Sequence, residues 1–329
     1  MPDIAWFIII MLLSVGFAVV NGANDAANAI ATVVGTRVLS PARAIIMAAV
    51  LNFAGAATGL AVAHTIGKGI VSSEYITYDV IVAALIAAVL WGAVATRFGL
   101  PISLHHSLIA GLVGSGIAVA GSDAIVWKVL TTKVFPSVAI APALGLAAGF
   151  LVMVALYWIF RRTSPLKVES HFSRLQILSA GFMAYAHGKN DGQMPIGLMA
   201  VALMIHNGST DWSVPFWIIA LSAVSIACGT ALGGWRVIRT LGTHMTILRP
   251  VNGFAAEAAA ASVIEAASHF GVPVSTTHCI TSSIMGVGAT KRLSAVRWGI
   301  AGNIVLAWVM TFPICGVLGW AVAKLIMLA

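Results

Sequence analysis

Apolar runs long enough to cross a bilayer recur from one end of this chain to the other, and that feature decides what it can fold into. The first is almost unbroken from Ile4 to Val20 and opens a segment near 4–36; others lie near 44–66, 80–96, 102–120 and 137–160. After a polar stretch they resume near 176–205, 213–235, 251–268, 276–290 and 298–328. Inside hydrocarbon every backbone N–H and C=O must find a partner within the protein, so runs of this length mean helices. A transmembrane barrel would instead show short segments of alternating polarity, which are absent here. Only 9% of the residues are charged, against about 25% in a soluble domain. The expected fold class is an all-α polytopic membrane protein. Asp3 is the sole charged side chain before the first run, so the N-terminus lacks the basic start of a secretory signal and reads as a retained span.

The charges give an orientation. With the N-terminus outside, thirteen of the 18 basic residues, from Arg37 and Arg43 to Arg297, fall in inner loops, and Lys68, Lys128 and Lys133 fall in outer ones. This is a positive-inside bias. It predicts a multi-pass protein of the cell (inner) membrane with both termini outside, and it explains the net charge of +8 without a nucleic-acid partner. Cys228, Cys279 and Cys315 are scattered through apolar surroundings with no CxxC spacing, and read as buried small hydrophobes.

The chain is also internally repeated. Phe98–Ala118 aligns without gaps to Phe270–Thr290, with seven identities in 21 positions: Phe, Gly, Pro, Ser, His, Gly and Gly. An Asn-Asp pair precedes each segment, Asn24-Asp25 and Asn190-Asp191, at a similar offset. Arg161 to Arg174 is the longest polar stretch and sets the expected boundary: an N-terminal repeat over 1–160, a cytoplasmic linker over 161–174 and a C-terminal repeat over 175–329. Five apolar segments per half invert the second repeat, a hallmark of secondary transporters with a site near the midplane.

Asp25 and Asp191 each cost about 2.5–3.5 kcal/mol to insert at a bilayer centre, and such residues are functional candidates by default. Asn and Asp beside Gly are weak helix formers, so both helices are expected to unwind there. Loosened carbonyls with the carboxylates, Asn24 and Asn190 would form a hard-oxygen site for Na⁺, or the carboxylates would hold H⁺. Asn28 and Gln193 lie within a turn of the pairs and are expected to face the same cavity. Lys189 reads either as part of this site or as a structural partner of an aspartate. Glu257, eight residues before Glu265, reads either as part of the cation path or as a buried structural pair.

The second element is Pro-Ile-Ser-Leu-His-His at 101–106 and Pro-Val-Ser-Thr-Thr-His at 273–278. Proline interrupts the chain, and Ser103 and Ser275 are expected to cap the helices that follow. Helix N-termini attract anions, so two of them entering from opposite faces would clasp an oxyanion, helped by His105, Thr276 and Thr277. His106 and His278 match across the repeat, with a structural hydrogen-bonding role expected. No metal is expected beyond a coupling Na⁺, since no HExxH or tight His/Cys cluster is present. Gly55/Gly59 and Gly229/Gly233 are GxxxG patterns, expected at close helix crossings.

Gly-Ala-Asn-Asp-Ala-Ala-Asn-Ala at 22–29, Gly-Lys-Asn-Asp-Gly-Gln at 188–193 and the paired Pro-Ser segments together resemble the PiT-type inorganic phosphate transporters, whose superfamily also holds sulfate permeases. The likeness runs the length of the chain. It implies two inverted-topology repeats with broken helices and re-entrant helical hairpins, both termini outside, and cation-coupled uptake (Na⁺ or H⁺), often by a homodimer in the lipid bilayer. It places the substrate on Ser103, Ser275, Thr276 and Thr277, and the cation on Asn24, Asp25, Asn190 and Asp191. Two departures bear on the pocket: Leu104-His105 stand where the family usually has Thr-Thr, and Met194 stands where bacterial members often have lysine. The expected function is symport of inorganic phosphate by alternating access, with no cofactor; the alternative is a sulfate or other oxyanion permease. An intramembrane hydrolase is disfavoured because GxSxG is absent. A passive anion channel would fail to concentrate its substrate.

Overall fold

The computed structural model describes residues 3–328, without the side chains of Ala26 and Lys68. The described residues form fourteen α-helices. The first half holds α1 (Asp3–Gly35), α2 (Pro41–Ala56), α3 (Ala61–Gly69), α4 (Tyr78–Phe98), α5 (Leu104–Ala120), the single turn α6 (Trp127–Val129) and α7 (Phe135–Ile159). The second holds α8 (Pro165–Asp191), α9 (Gln193–Asn207), α10 (Phe216–Leu232), α11 (Trp235–Arg239), α12 (Pro250–His269), α13 (Thr276–Ala289) and α14 (Trp298–Leu328). Five stretches are long and apolar enough to cross a membrane: α1, α4, Leu104–Ala124, Trp127–Ile159 and α14. Two further spans arise if each bent pair counts as one, α2 with α3 at 73° and α10 with the segment Trp235–His244 at 64°.

The order of elements repeats. α1 corresponds to α8 with α9, the bent pair α2–α3 to α10–α11, α4 to α12, α5 to α13, and α7 to α14. The halves interlock rather than sit side by side: α1 packs on α10 and α8 on α2, while α5 packs on α14 and α13 on α7. Glycine makes the closest crossings. A Cβ on Gly22 would lie 2.2 Å from the Ile226 carbonyl oxygen, and one on its equivalent Gly188 2.2 Å from that of Asn52. Of the GxxxG pairs, Gly55 and Gly229 sit at these crossings. Gly59 and Gly233 have positive φ, 88° and 66°, so they bend the chain instead of packing helices.

The repeated Phe-Gly-x-Pro-x-Ser has a local explanation. Gly99 and Gly271 take φ of 72° and 63°, the left-handed conformation that closes a helix and that glycine adopts without strain. Proline then prevents continuation. Ser103 and Ser275 cap the next helix, accepting from the backbone N–H of His106 at 3.3 Å and His278 at 3.1 Å. Both expected caps are present.

The polar stretch 161–174 is largely helical: α8 starts at Pro165, with Ser164 extended before it. Proline at the first helical position and the following Leu-Lys-Val-Glu favour an exposed helical extension. One expectation needs correction: α1 does not unwind at its Asn-Asp pair and is helical from Asp3 to Gly35. Ala23, Ala27 and Ala29 favour the helix, and the side chains of Asn24 and Asn28 bond to other segments instead of competing for their own backbone. At the second motif the helix is interrupted only at Gly192, which stays right-handed at φ −63° and ψ −22°. The loosened carbonyls expected at both motifs are therefore not there.

Polarity is arranged inside out. Leu12, Leu151, Leu178 and Val317 are more than 60% exposed, while Asn21, Asn190, Asp191 and Glu257 are fully buried. That suits a protein whose surroundings are apolar.

Candidate functional site

Asp25 and Asp191 come together at the centre of the bundle. The Asn21 amide, with its nitrogen turned toward both carboxylates, donates to Asp25 Oδ2 at 3.1 Å and to Asp191 Oδ2 at 3.2 Å. Each aspartate also meets the hairpin tip of the opposite half. Thr277 Oγ1, from the second half, lies 2.9 Å from Asp25 Oδ1. His105 Nδ1, from the first, lies 3.7 Å from Asp191 Oδ1. Thr277 and His105 are equivalent positions in the repeat, so the same crossed contact is made twice with different chemistry.

The tips are tied to the helices around them. Asn28 donates to Thr276 Oγ1 at 3.2 Å and to Thr277 Oγ1 at 3.0 Å. Thr277 Oγ1 is also 2.9 Å from the Ile102 carbonyl of the other tip. Asn190 donates to the Val274 carbonyl at 2.8 Å and to Asp191 Oδ1 at 3.2 Å, and its own oxygen accepts from Ser268. With His106 and His278 bonded to the caps through their backbones, the first-turn amides of Leu104, His105, Thr276 and Thr277 are the open donors of α5 and α13.

A residue that the sequence reading left unassigned completes the cluster. His187 stands one turn before Asp191, the position Asn21 holds before Asp25. Its tautomer follows from a chain of bonds. Thr230 donates to the Ile226 carbonyl at 2.9 Å and so accepts from Asn52 Nδ2 at 3.0 Å. That turns Asn52 Oδ1 toward His187 Nδ1 at 2.8 Å, and Nδ1 must carry the proton. In the neutral ring Nε2 then presents a lone pair to Asp191 Oδ2 at 3.6 Å. Ligand atoms of Asp25, His187 and Asp191 all lie within 4.8 Å of one another. Three converging lone-pair donors, two on carboxylates, call for a cation between them.

Other expected site residues are engaged elsewhere. Gln193 Oε1 accepts from the backbone N–H of Val62 at 2.8 Å and Ala63 at 3.1 Å, holding the start of α3. Asn24 donates to Thr96 at 2.8 Å. Neighbours on a helix point about 100° apart, which sends Asn24 away from Asp25. Lys189 pairs with Glu265 on α12, not with an aspartate. Glu257 is a third buried carboxylate, bonded by the hydroxyls of Thr32 and Ser179 and by Gln176 at 3.2 Å. The rings of His106 and His278 pack together: their centroids are 4.8 Å apart, His278 stacks on Trp308 at 3.8 Å and His106 on Phe312 at 4.9 Å. Asn21 and His187 went unassigned in sequence, although each lies one helical turn before an aspartate.

The chain is similar over nearly all of its length to known proteins. A model of the phosphate transporter family matches residues 21–168 and 161–319. A Rhizobium meliloti protein described as a "Probable low-affinity inorganic phosphate transporter" is 46% identical over 299 residues, covering 90% of this chain and 89% of the relative. A Bacillus subtilis protein of the same description is 39% identical, covering 95% and 94%. A solved structure described as "The sodium-dependent phosphate transporter" superposes with a TM-score of 0.88 at 27% identity, covering 98% of this chain and 99% of that one.

Proposed function

The chain belongs to the phosphate transporter family, a family of transporters and not of enzymes, and from that premise we propose that it moves inorganic phosphate into the cytoplasm by cation-coupled symport with alternating access. The observation that carries this reading is the crossed pairing at the centre, Thr277 with Asp25 and His105 with Asp191. It joins the open ends of two anion-attracting helices to two buried carboxylates.

The charges supply the coupling. Two carboxylates and the His187 lone pair hold a cation, and the cation offsets the charge of an oxyanion at the N-termini of α5 and α13. Binding either ion lowers the cost of burying the other, which is a coupling free energy. Ser103 and Ser275 hold the caps, His105, Thr276 and Thr277 offer donors, and Asn28 and Asn190 fix the tips. Protonated phosphate donates as well as accepts, so it tolerates nearby carboxylates better than sulfate does. The interlocked halves, α1 on α10 and α8 on α2, rock about this shared centre. The basic face is the cytoplasmic one, with both termini outside.

The coupling cation is Na⁺ or H⁺. The carboxylate oxygens suit Na⁺, and the solved relative is described as sodium-dependent; the paired carboxylates also suit H⁺. Uptake of labelled phosphate and of labelled sulfate into proteoliposomes, under an imposed Na⁺ or pH gradient, tests the reading. Phosphate accumulating against its gradient under one of them is the expected result and names the ion. Equilibration without accumulation would mean a channel, and accumulation of sulfate alone would mean a different pocket.

A further inference from the structure

Far from the aspartates, the face that gathers most of the basic residues contains a cavity of about 760 Å³, within the usual range for ligand sites. Arg161, Arg249, Lys291, Arg292 and Arg297 line it, with Glu169 as the one carboxylate among its lining residues. None of the five cations has a carboxylate within salt-bridge distance among the described residues. The twenty-residue helix α12 begins there, Arg249 to Asn252 forming part of the wall, and its positive end adds to the field. Two of the cations are already held in place: the Arg161 guanidinium lies over the Trp158 ring at 5.2 Å, and Arg297 Nη1 donates to the His244 carbonyl at 3.1 Å.

Most of the rest of the wall is apolar, with Leu156, Phe160, Val168, Leu248 and Val251 among its residues, and it reaches the surface of the protein. Tyr157 is 47% exposed and Ile247 86%, so in a bilayer they meet lipid or its headgroup layer. No residue of the central site lines the cavity. Val287 and Gly288 do, and Gly288 lies about 18 Å along α13 from Thr276 at 1.5 Å per residue.

We propose that this cavity is a separate binding site for a phosphate-bearing anion, and that its occupant is the headgroup of an anionic phospholipid. Cationic side chains meet the phosphodiester, and the apolar wall takes the adjoining acyl chain. Basic pockets between helices on the cytoplasmic side suit this chemistry. Free inorganic phosphate shares the charge but has no use for the apolar wall.

Lys291 is exposed and reports occupancy directly. The intact protein in nanodiscs is treated with an amine-acylating reagent, and labelling of Lys291 is compared with that of exposed Lys128 by peptide mass spectrometry. Phosphatidylglycerol in place of phosphatidylcholine slows Lys291 about tenfold and leaves Lys128 unchanged. Protection by millimolar inorganic phosphate in phosphatidylcholine discs, with sulfate inactive, would keep the site and make free phosphate its occupant. No protection by either, or equal slowing at both lysines, overturns the proposal. Replacing Arg249 and Arg292 together by alanine abolishes the tenfold lipid protection, with size-exclusion profiles confirming the fold; protection that survives in this variant overturns the assignment. Labelling reads occupancy without transport, so the result is independent of the function proposed above.

Discussion

Asp25 and Asp191 occupy equivalent places in the two halves, yet their surroundings differ. The Asn21 amide donates to both; beyond it, Asp25 is met by the Thr277 hydroxyl, and Asp191 by two imidazoles, His105 and His187, and by Asn190. The backbone around them is nearly the same: glycine closing the previous helix, proline, a serine cap, and a tip crossing to the other half. The fold thus sets where a tip meets a carboxylate, while the residue at the tip sets which chemistry it offers. A hydroxyl both donates and accepts through one oxygen; a neutral imidazole divides the two roles between its nitrogens.

The comparison is broken most severely by neutralising either aspartate. Asp25→Asn and Asp191→Asn each keep the shape of the side chain and remove its charge. Gradient-driven accumulation of phosphate, a coupling of about 5–150-fold in typical cases, should vanish in both, while the protein still elutes as a folded species. Normal accumulation by either variant would remove that aspartate from the cation site.

His187→Ala and Asn21→Ala test the two equivalent positions one turn earlier. His187 contributes a ligand atom beside two carboxylates, so its loss should raise the cation concentration for half-maximal uptake by about 10–100-fold. Asn21 donates to both carboxylates, and its loss should have an effect of similar size. A shift confined to one of the two would show that one half alone holds the cation. His105→Thr then makes the first tip resemble the second. The expected change is about tenfold in the apparent phosphate affinity. An unchanged affinity would remove His105 from the anion's contacts.

Much of this was legible in the sequence, for physical reasons that differ by element. The spans announced themselves because hydrocarbon admits so few backbone structures. The caps at Ser103 and Ser275 were legible because a proline followed two residues later by serine is a local signal that needs no tertiary partner. The continuity of α1 through Asn24-Asp25 was not, because it depends on partners such as Thr96 and Thr276, 72 and 248 residues away. The same holds for Gln193, drawn to the start of α3, and for His187, whose tautomer is fixed through Asn52 and Thr230 on two other helices. Sequence spacing places side chains on one face of a helix; it does not say what the face meets.

The close crossings offer a smaller effect that bears on the scaffold alone. Gly188→Ala puts a Cβ 2.2 Å from the Asn52 carbonyl oxygen, and Gly22→Ala puts one 2.2 Å from that of Ile226. Each should lower stability by about 1–3 kcal/mol, read as a fall in the melting temperature of the solubilised protein. Gly16→Ala, with nothing within 4 Å of the added atom, serves as the control and should melt as the parent does. Equal losses at Gly22 and Gly188 would confirm that the two crossings support the fold alike, and a loss at one alone would break the symmetry at the level of packing.

Lys189 should give the smallest effect, and the reason is again an asymmetry. The equivalent of Lys189 in the first half is Ala23, so its ion pair with Glu265 has no counterpart there. The pair is partly open, with side chains 17% and 31% exposed, and water screens it. A pair of this kind contributes no more than about 1 kcal/mol, so Lys189→Met should melt within a few degrees of the parent and keep most of its uptake. Charge reversal of both partners, Lys189→Glu with Glu265→Lys, should restore whatever the single variant loses. A drop in uptake of more than tenfold for Lys189→Met, unrepaired by the double reversal, would instead place this lysine in the path of the anion and extend the asymmetry from the tips to the helix between them.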